Sequence, residues 1–188
     1  MEVRALLDVM HIAERLKDEL RHCDTSKGRR ESVAEHSWRI ALMALFMQDE
    51  FPELDINKVI RMCLIHDLGE CLTGDIPTFL KSEEDEKRED ETLAAWVKSL
   101  PEPYCTQLAE LYAEMNALQT GEARLYKTLD KLEAVIQHNE ADIRTWEPHE
   151  YELNLTYAND IVAGTPYLEQ LREAIRDDTK QKIADAAE

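Results

Sequence analysis

Residues that break regular structure are scarce in this chain: five Gly and six Pro in 188. With 33% charged and 44% hydrophobic residues, that scarcity argues against a β-sandwich or a disordered chain and favours a helical globule. The length fits a single domain, residues 1–188, with a core that needs no staples. Cys23, Cys63, Cys71 and Cys105 form no CxxC pair and no regular spacing. A zinc knuckle and a disulfide framework are therefore not suggested, and reduced thiols in a cytoplasmic protein are expected. No apolar run approaches the roughly 18 residues of a membrane span, and the N-terminus does not read as a signal peptide. Cations are also in deficit: 22 Lys+Arg face 40 Asp+Glu, a formal charge of -18. Such a surface repels nucleic acid polymers and anionic membranes. An anionic small-molecule substrate must then be met by a local cation or a metal.

What is present is helical patterning. Val3, Leu6, Leu7, Met10 and Leu16 predict a first amphipathic helix ending near Arg21. Turn residues fill 23–28, and Ser32 with Glu35 forms a capping box opening a helix that runs to about Glu50. His36 falls on its buried line with Ile40, Ala44 and Met47. Asp55 is an N-cap for a helix whose apolar face is Ile56, Val59, Ile60, Cys63 and Leu64. The charged run Lys81–Glu91 reads as a solvated helix start or a mobile loop. Helices are expected at roughly 89–99, 103–119 and 122–140, the last with a stripe of Leu125, Leu129, Leu132 and Ile136. The stretch 141–154 reads as irregular, and a final helix starts near Pro166. No convincing β-strand is found.

The helix from Ile56 continues its apolar face into His66 and Asp67. A buried carboxylate without a partner is costly, and no Lys or Arg shares that face. Either a remote cation or a metal must therefore reach it. His36, the His66-Asp67 pair and Asp130 each present a metal-ligand side chain from a different helix. Two imidazoles and two carboxylates suit one borderline-to-hard divalent ion, among Mn, Co, Fe, Zn and Mg. Four ligands leave coordination positions open, as in a catalytic site.

These residues resemble the H…HD…D signature of the HD-domain metal-dependent phosphohydrolases. The small 5'-nucleotidase-like subgroup, which includes a bacterial 5'-deoxynucleotidase, is the most similar. Glu31-Ser32-Val33-Ala34-Glu35-His36-Ser37 is similar to its first ligand segment. His66-Asp67-Leu68-Gly69-Glu70 and Leu72-Thr73-Gly74-Asp75-Ile76-Pro77-Thr78 resemble its HDxxE…TGD segment, and Lys127-Thr128-Leu129-Asp130-Lys131-Leu132-Glu133 resembles its last ligand helix. The likeness covers about Arg15 to His138, with helices over 150–188 beyond it. It implies an all-α bundle, one divalent metal held by His36, His66, Asp67 and Asp130, and usually a homodimer. By position, Arg21 matches the arginine that holds the substrate phosphate, and Glu70 and Asp75 match two acids needed for turnover. One departure is His22, where the bacterial deoxynucleotidase carries a tryptophan associated with choosing deoxyribose.

The expected activity is hydrolysis of nucleoside or deoxynucleoside 5'-monophosphates, with Arg21, His22 and Asp75 contacting substrate and Glu70 and Asp75 serving the reaction. Two-metal HD enzymes add histidines between the HD pair and the last aspartate, and none occurs here between His66 and Asp130. Alarmone hydrolases carry HDxxED, whereas Cys71 follows Glu70 here. A metal-stabilised adaptor would have no use for the extra acids. With aromatics at 6% and none obvious beside the motifs, loose base preference is expected. His22 should also let ribonucleotides be tolerated.

Overall fold

The computed structural model describes residues 1–76 and 81–187; Pro77 and Thr78 of the TGD-containing segment lie outside them. Helix α1 (Val3–Ala13) passes through a 3₁₀ turn, Glu14–Lys17, into strand β1 (Leu20–Asp24), which pairs antiparallel with β2 (Arg30–Ser32). Arg21 therefore sits on a strand and not at a helix end. The register runs Leu20 opposite Ser32 and Asp24 opposite Arg30, with an irregularity between. This hairpin corrects the expectation of no strand. Three to five residues per strand are too few to show the alternation that marks one in sequence.

Helix α2 (Val33–Phe46) opens with the capping box read from sequence: Glu35 N–H donates to Ser32 Oγ, and Ser32 N–H to the Glu35 carboxylate. Helix α3 (Ile56–Ile65) is capped by Asp55, which accepts from Lys58 N–H. A one-turn α4 (Glu70–Thr73) follows, then α5 (Glu83–Ser99), α6 (Tyr104–Ala117) and α7 (Gly121–Glu140). The charged run is thus a regular helix, started by a second capping box between Ser82 and Asp85. The stretch expected to be irregular overlaps the start of α8 (Glu150–Thr156), which opens the 150–188 region expected to be helical. A short α9 (Asn159–Val162) leads to α10 (Pro166–Asp185), with Pro166 at its first turn.

The core lies where α2, α3 and α7 meet, with Ile40, Ala44, Val59, Met62, Leu129 and Leu132 wholly buried. Apolar contacts continue without a break to Leu168 and Ile175 of α10. That seals one side of the bundle and leaves the polar ends of α2, α3 and α7 facing one another beside the hairpin. Among the described residues no helix is long and apolar enough to cross a membrane.

Candidate active site

His36 is wholly buried on α2. Its Nδ1–H donates to Glu133 Oε2 of α7 at 2.5 Å, which turns Nε2 towards Asp130 Oδ1 at 3.1 Å and Asp67 Oδ2 at 3.9 Å. His66, just past the end of α3, donates from Nδ1 to the Cys63 carbonyl at 2.9 Å. Its buried Nε2 lies 2.9 Å from Asp67 Oδ2 and 3.6 Å from Asp130 Oδ1, with hydrogen-bond geometry to neither. The structure thus brings His36, His66, Asp67 and Asp130 to one point.

Each ring spends its Nδ1 proton on an oxygen that can only accept. In the neutral tautomer each Nε2 then aims a lone pair at carboxylate oxygens, an arrangement that requires a cation or an added proton. Donors sharing one ion at ~2.1 Å stand roughly 3–3.5 Å apart, and the imidazole–carboxylate separations here run from 2.9 to 3.9 Å. The donor set fits one divalent ion. Without it the protein falls back on protons. Burial pulls the His66 pKa down, but Asp67 and Asp130 outweigh it and push it up to about 10. Asp67 resists burial through the adjacent His66 and falls to about 2.

Cations from outside the His66-Asp67 face also reach these carboxylates. Lys127 Nζ, one turn from Asp130 on α7, lies 2.8 Å from Asp130 Oδ2. Arg21 Nη1 on β1 lies 3.7 Å from Asp67 Oδ2, and its Nε is 3.2 Å from buried Glu31. Burial opposes the charge on Arg21, yet Asp67 and its other acidic neighbours hold its pKa above the usual value.

Glu70 is buried on α4, and its Oε2 finds no hydrogen-bond partner. Burial first, then Asp67, Asp75 and Glu89, push its pKa up to about 10. Gly74 ends α4 with φ +84°, a conformation that side-chain-bearing residues rarely adopt, and Asp75 follows it close enough for its charge to act on Glu70. Burial raises the Asp75 pKa as well, against the opposing pull of Arg21.

Arg21, His22 and Asp75 line one cleft of about 280 Å³ whose far wall comes from α7 and α8. His22 Nε2 lies 3.1 Å from Glu150 Oε1, so the residue borders the cleft while engaged with α8.

Sequence reasoning missed Glu31 and Glu133, the acids behind Arg21 and His36, and the cleft residues His138, Glu150, Asn154 and Tyr157. A signal existed for Glu133, which lies three residues beyond Asp130 and so on the same helical face. For α8, which falls within the 150–188 expected to be helical, seven residues are too few to show a period and so to mark its cleft-facing side.

Residues 13–171 match the family model described as HD domain. The human 5'-deoxynucleotidase HDDC2 is 35% identical over 114 residues, 60% of this chain and 55% of that protein. The Saccharomyces cerevisiae 5'-deoxynucleotidase YBR242W is 26% identical over 140 residues, 70% of this chain and 58% of that protein. The chain spans about half the length of the curated relatives it matches. A crystal structure called "Predicted metal-dependent phosphohydrolase" from Magnetospirillum magnetotacticum MS-1 superposes with a TM-score of 0.78. It is 30% identical, and the match covers 96% of this chain and 93% of that one. The PH0347 protein from Pyrococcus horikoshii OT3, 22% identical with a TM-score of 0.73, shares the fold. On the match over residues 13–171, the chain belongs to the HD domain family.

Proposed function

We propose that this chain is a metal-dependent phosphomonoesterase that removes phosphate from nucleoside or deoxynucleoside 5'-monophosphates. The observation that carries the reading is the convergence of His36, His66, Asp67 and Asp130 beside Arg21 at the mouth of a cleft. The names of the relatives, which include 5'-deoxynucleotidases and a metal-dependent phosphohydrolase, support the same reading.

In this reading the four side chains are the ligands of one divalent ion, among Mn, Co, Fe, Zn and Mg. When bound, that ion supplies Lewis-acid neutralisation of phosphoryl charge. Arg21 brings a fixed guanidinium to the same phosphate and positions it against the ligands. Glu70 carries a proton close to Asp75. If Glu70's proton passes through Asp75 to the leaving 5'-oxygen, the carboxylate left on Glu70 accepts one from the attacking water, so the pair ends with the proton it began with. Asp75 lines the cleft, so it is the member that meets the sugar side, while Glu70 stands behind it towards Asp67.

The test is phosphate release from nucleoside 5'-monophosphates, with 3'-monophosphates as controls and with or without added Mn or Co. Turnover of the 5'-esters should depend on metal. Arg21→Ala should lower it severely while metal content, measured by elemental analysis, stays intact. Activity confined to diesters or alarmones would overturn the assignment.

The same reading takes the chain as one domain that pairs as a homodimer. Its support is the outer face of α2, where Trp38, Leu45 and Phe46 are 60%, 49% and 78% exposed on an otherwise acidic surface. Sedimentation should give twice the 21.8 kDa chain mass, and Trp38→Glu with Phe46→Glu should give the single mass. A native chain that stays monomeric at tens of micromolar would refute the pairing.

A further inference from the structure

The cleft behind Arg21 is deeper than a phosphate needs. Its far wall is built by α7 and by α8. Most polar groups there are already engaged. Glu150 Oε2 accepts from Glu147 N–H at 2.7 Å, and Glu150 Oε1 faces His22 Nε2 at 3.1 Å and His138 Nε2 at 3.7 Å. Asn154 is the exception. It lines the cleft and is only 3% exposed, yet its Nδ2 is buried with no acceptor. A buried donor left unsatisfied is costly and rare, so a native one calls for an explanation.

The residue is also held in place from behind. Arg172 of α10, 1% exposed, donates from Nη2 to the Asn154 carbonyl at 2.9 Å and from Nε to the Tyr157 carbonyl at 2.7 Å. One buried guanidinium therefore clasps the backbone of two cleft-lining residues. Burial lowers the Arg172 pKa, and its two bonds fix the end of α8 from behind. Val135, Leu153 and Tyr157 supply apolar surface around the amide.

We propose that this end of the cleft is a nucleobase subsite in which Asn154 Nδ2 donates to a carbonyl oxygen or ring nitrogen on the base edge. The inference rests on the phosphomonoesterase reading for the placement of the phosphate at Arg21. It is compatible with the loose base preference expected from sequence, because every nucleobase edge carries such an acceptor; what the site disfavours is a ligand with no acceptor there. The ligand class is a nucleoside 5'-monophosphate bound by both ends: phosphate at Arg21, base at Asn154.

The experiment compares kcat/KM for nucleoside 5'-monophosphates and for p-nitrophenyl phosphate, which has no base, in the native chain, Asn154→Leu and Asn154→Asp. The ratio within one preparation is independent of the fraction folded. Loss of one neutral hydrogen bond should lower the nucleotide-to-nitrophenyl ratio about tenfold in Asn154→Leu. Asn154→Asp, which sets an acceptor against an acceptor, should lower it further. Calorimetric titration with unphosphorylated nucleosides gives a readout free of turnover: binding should be measurable in the native chain and lost in both variants. An unchanged ratio, or an equal fall on both substrates, would overturn the subsite. A native chain inactive on both esters that still binds nucleosides through Asn154 would sink the phosphomonoesterase reading and leave the subsite standing. Absence of nucleoside binding would remove the subsite itself.

Discussion

At the scale of single residues, the site is organised by where each imidazole spends its proton. His36 gives its Nδ1 proton to Glu133 and His66 gives its own to the Cys63 carbonyl, so both Nε2 atoms are committed to the carboxylate cluster. The two anchors differ: a backbone carbonyl cannot be mutated away, but Glu133 can. Glu133 is wholly buried, and Arg39 Nη1 approaches its other oxygen at 3.5 Å. Replacing Glu133 with Gln keeps volume and shape but removes the charge that makes the His36 ring a stronger donor to a metal. Outer partners of this kind are worth about 10–100-fold in metal affinity. Glu133→Gln should therefore weaken Mn or Co binding by that factor in a chelator competition, with helical content retained. Unaltered affinity would mean that Glu133 is a packing residue only. His36, His66, Asp67 and Asp130 were legible from sequence because each interrupts an apolar helical face with a group that does not belong there. Glu31 was not legible, because it precedes a helix start and carries no periodicity of its own.

At the scale of elements, what the sequence disclosed depended on length and on local chemistry. The caps at Ser32 and Asp55 and the Pro166 start each rest on one or two residues acting on their immediate neighbours. All three stand where expected. The stripe of α7 is long enough to display its period, and Leu125, Leu129 and Leu132 are buried as expected. One element escaped, and another was left open between two readings. The hairpin Leu20–Ser32 continues the apolar pattern of α1 for a few residues, and Leu16 packs against Val33 and Cys71 in a small cluster of its own. A helix reading therefore ran on through a region that in fact turns. The charged run reads as either a solvated helix start or a mobile loop, and it forms the helix start of α5, as Glu, Lys and Arg are good helix formers. In α5 only Val97 among the described residues is fully buried. Patterning predicts what is buried, and α5 is held mainly by propensity and its cap. The consequence for function is uneven. Metal-ligand positions sit on legible elements, whereas Arg21 sits on a strand that sequence did not disclose and Asn154 on a short helix foreseen only in outline, as part of 150–188.

At the scale of the whole molecule, the acidic excess of -18 is carried inwards as well as outwards. Asp67, Asp130, Glu70, Glu31 and Glu133 are all drawn towards the two imidazoles, with Arg21, Arg39 and Lys127 as the cations close at hand. This imbalance ties stability to metal and to pH together. In the metal-free protein, burial opposes the charged form of His66, but Asp67 and Asp130 prevail and raise its pKa from 6.5 to about 10. For His36, burial and Arg21 pull down while Asp130 and Glu133 pull up more strongly, and its pKa is also raised. A pKa raised on folding gives stability that is fully present below the unfolded value and is lost as pH climbs through the folded one. The metal-free fold should thus lose stability between about pH 6.5 and pH 10. Metal binding needs the same nitrogens neutral, so it must expel those protons and is strengthened by rising pH over the same window. A ligand that binds only the folded state raises its stability in step with occupancy. The difference in Tm between Mn-loaded and EDTA-treated protein should therefore be small near pH 6 and should widen steadily towards pH 8.5. Thermal unfolding followed by circular dichroism at four or five pH values measures it directly. A difference that stays constant across that range would mean that the imidazoles are already neutral without metal, and that the carboxylates around them are balanced by Arg21 and Lys127 instead.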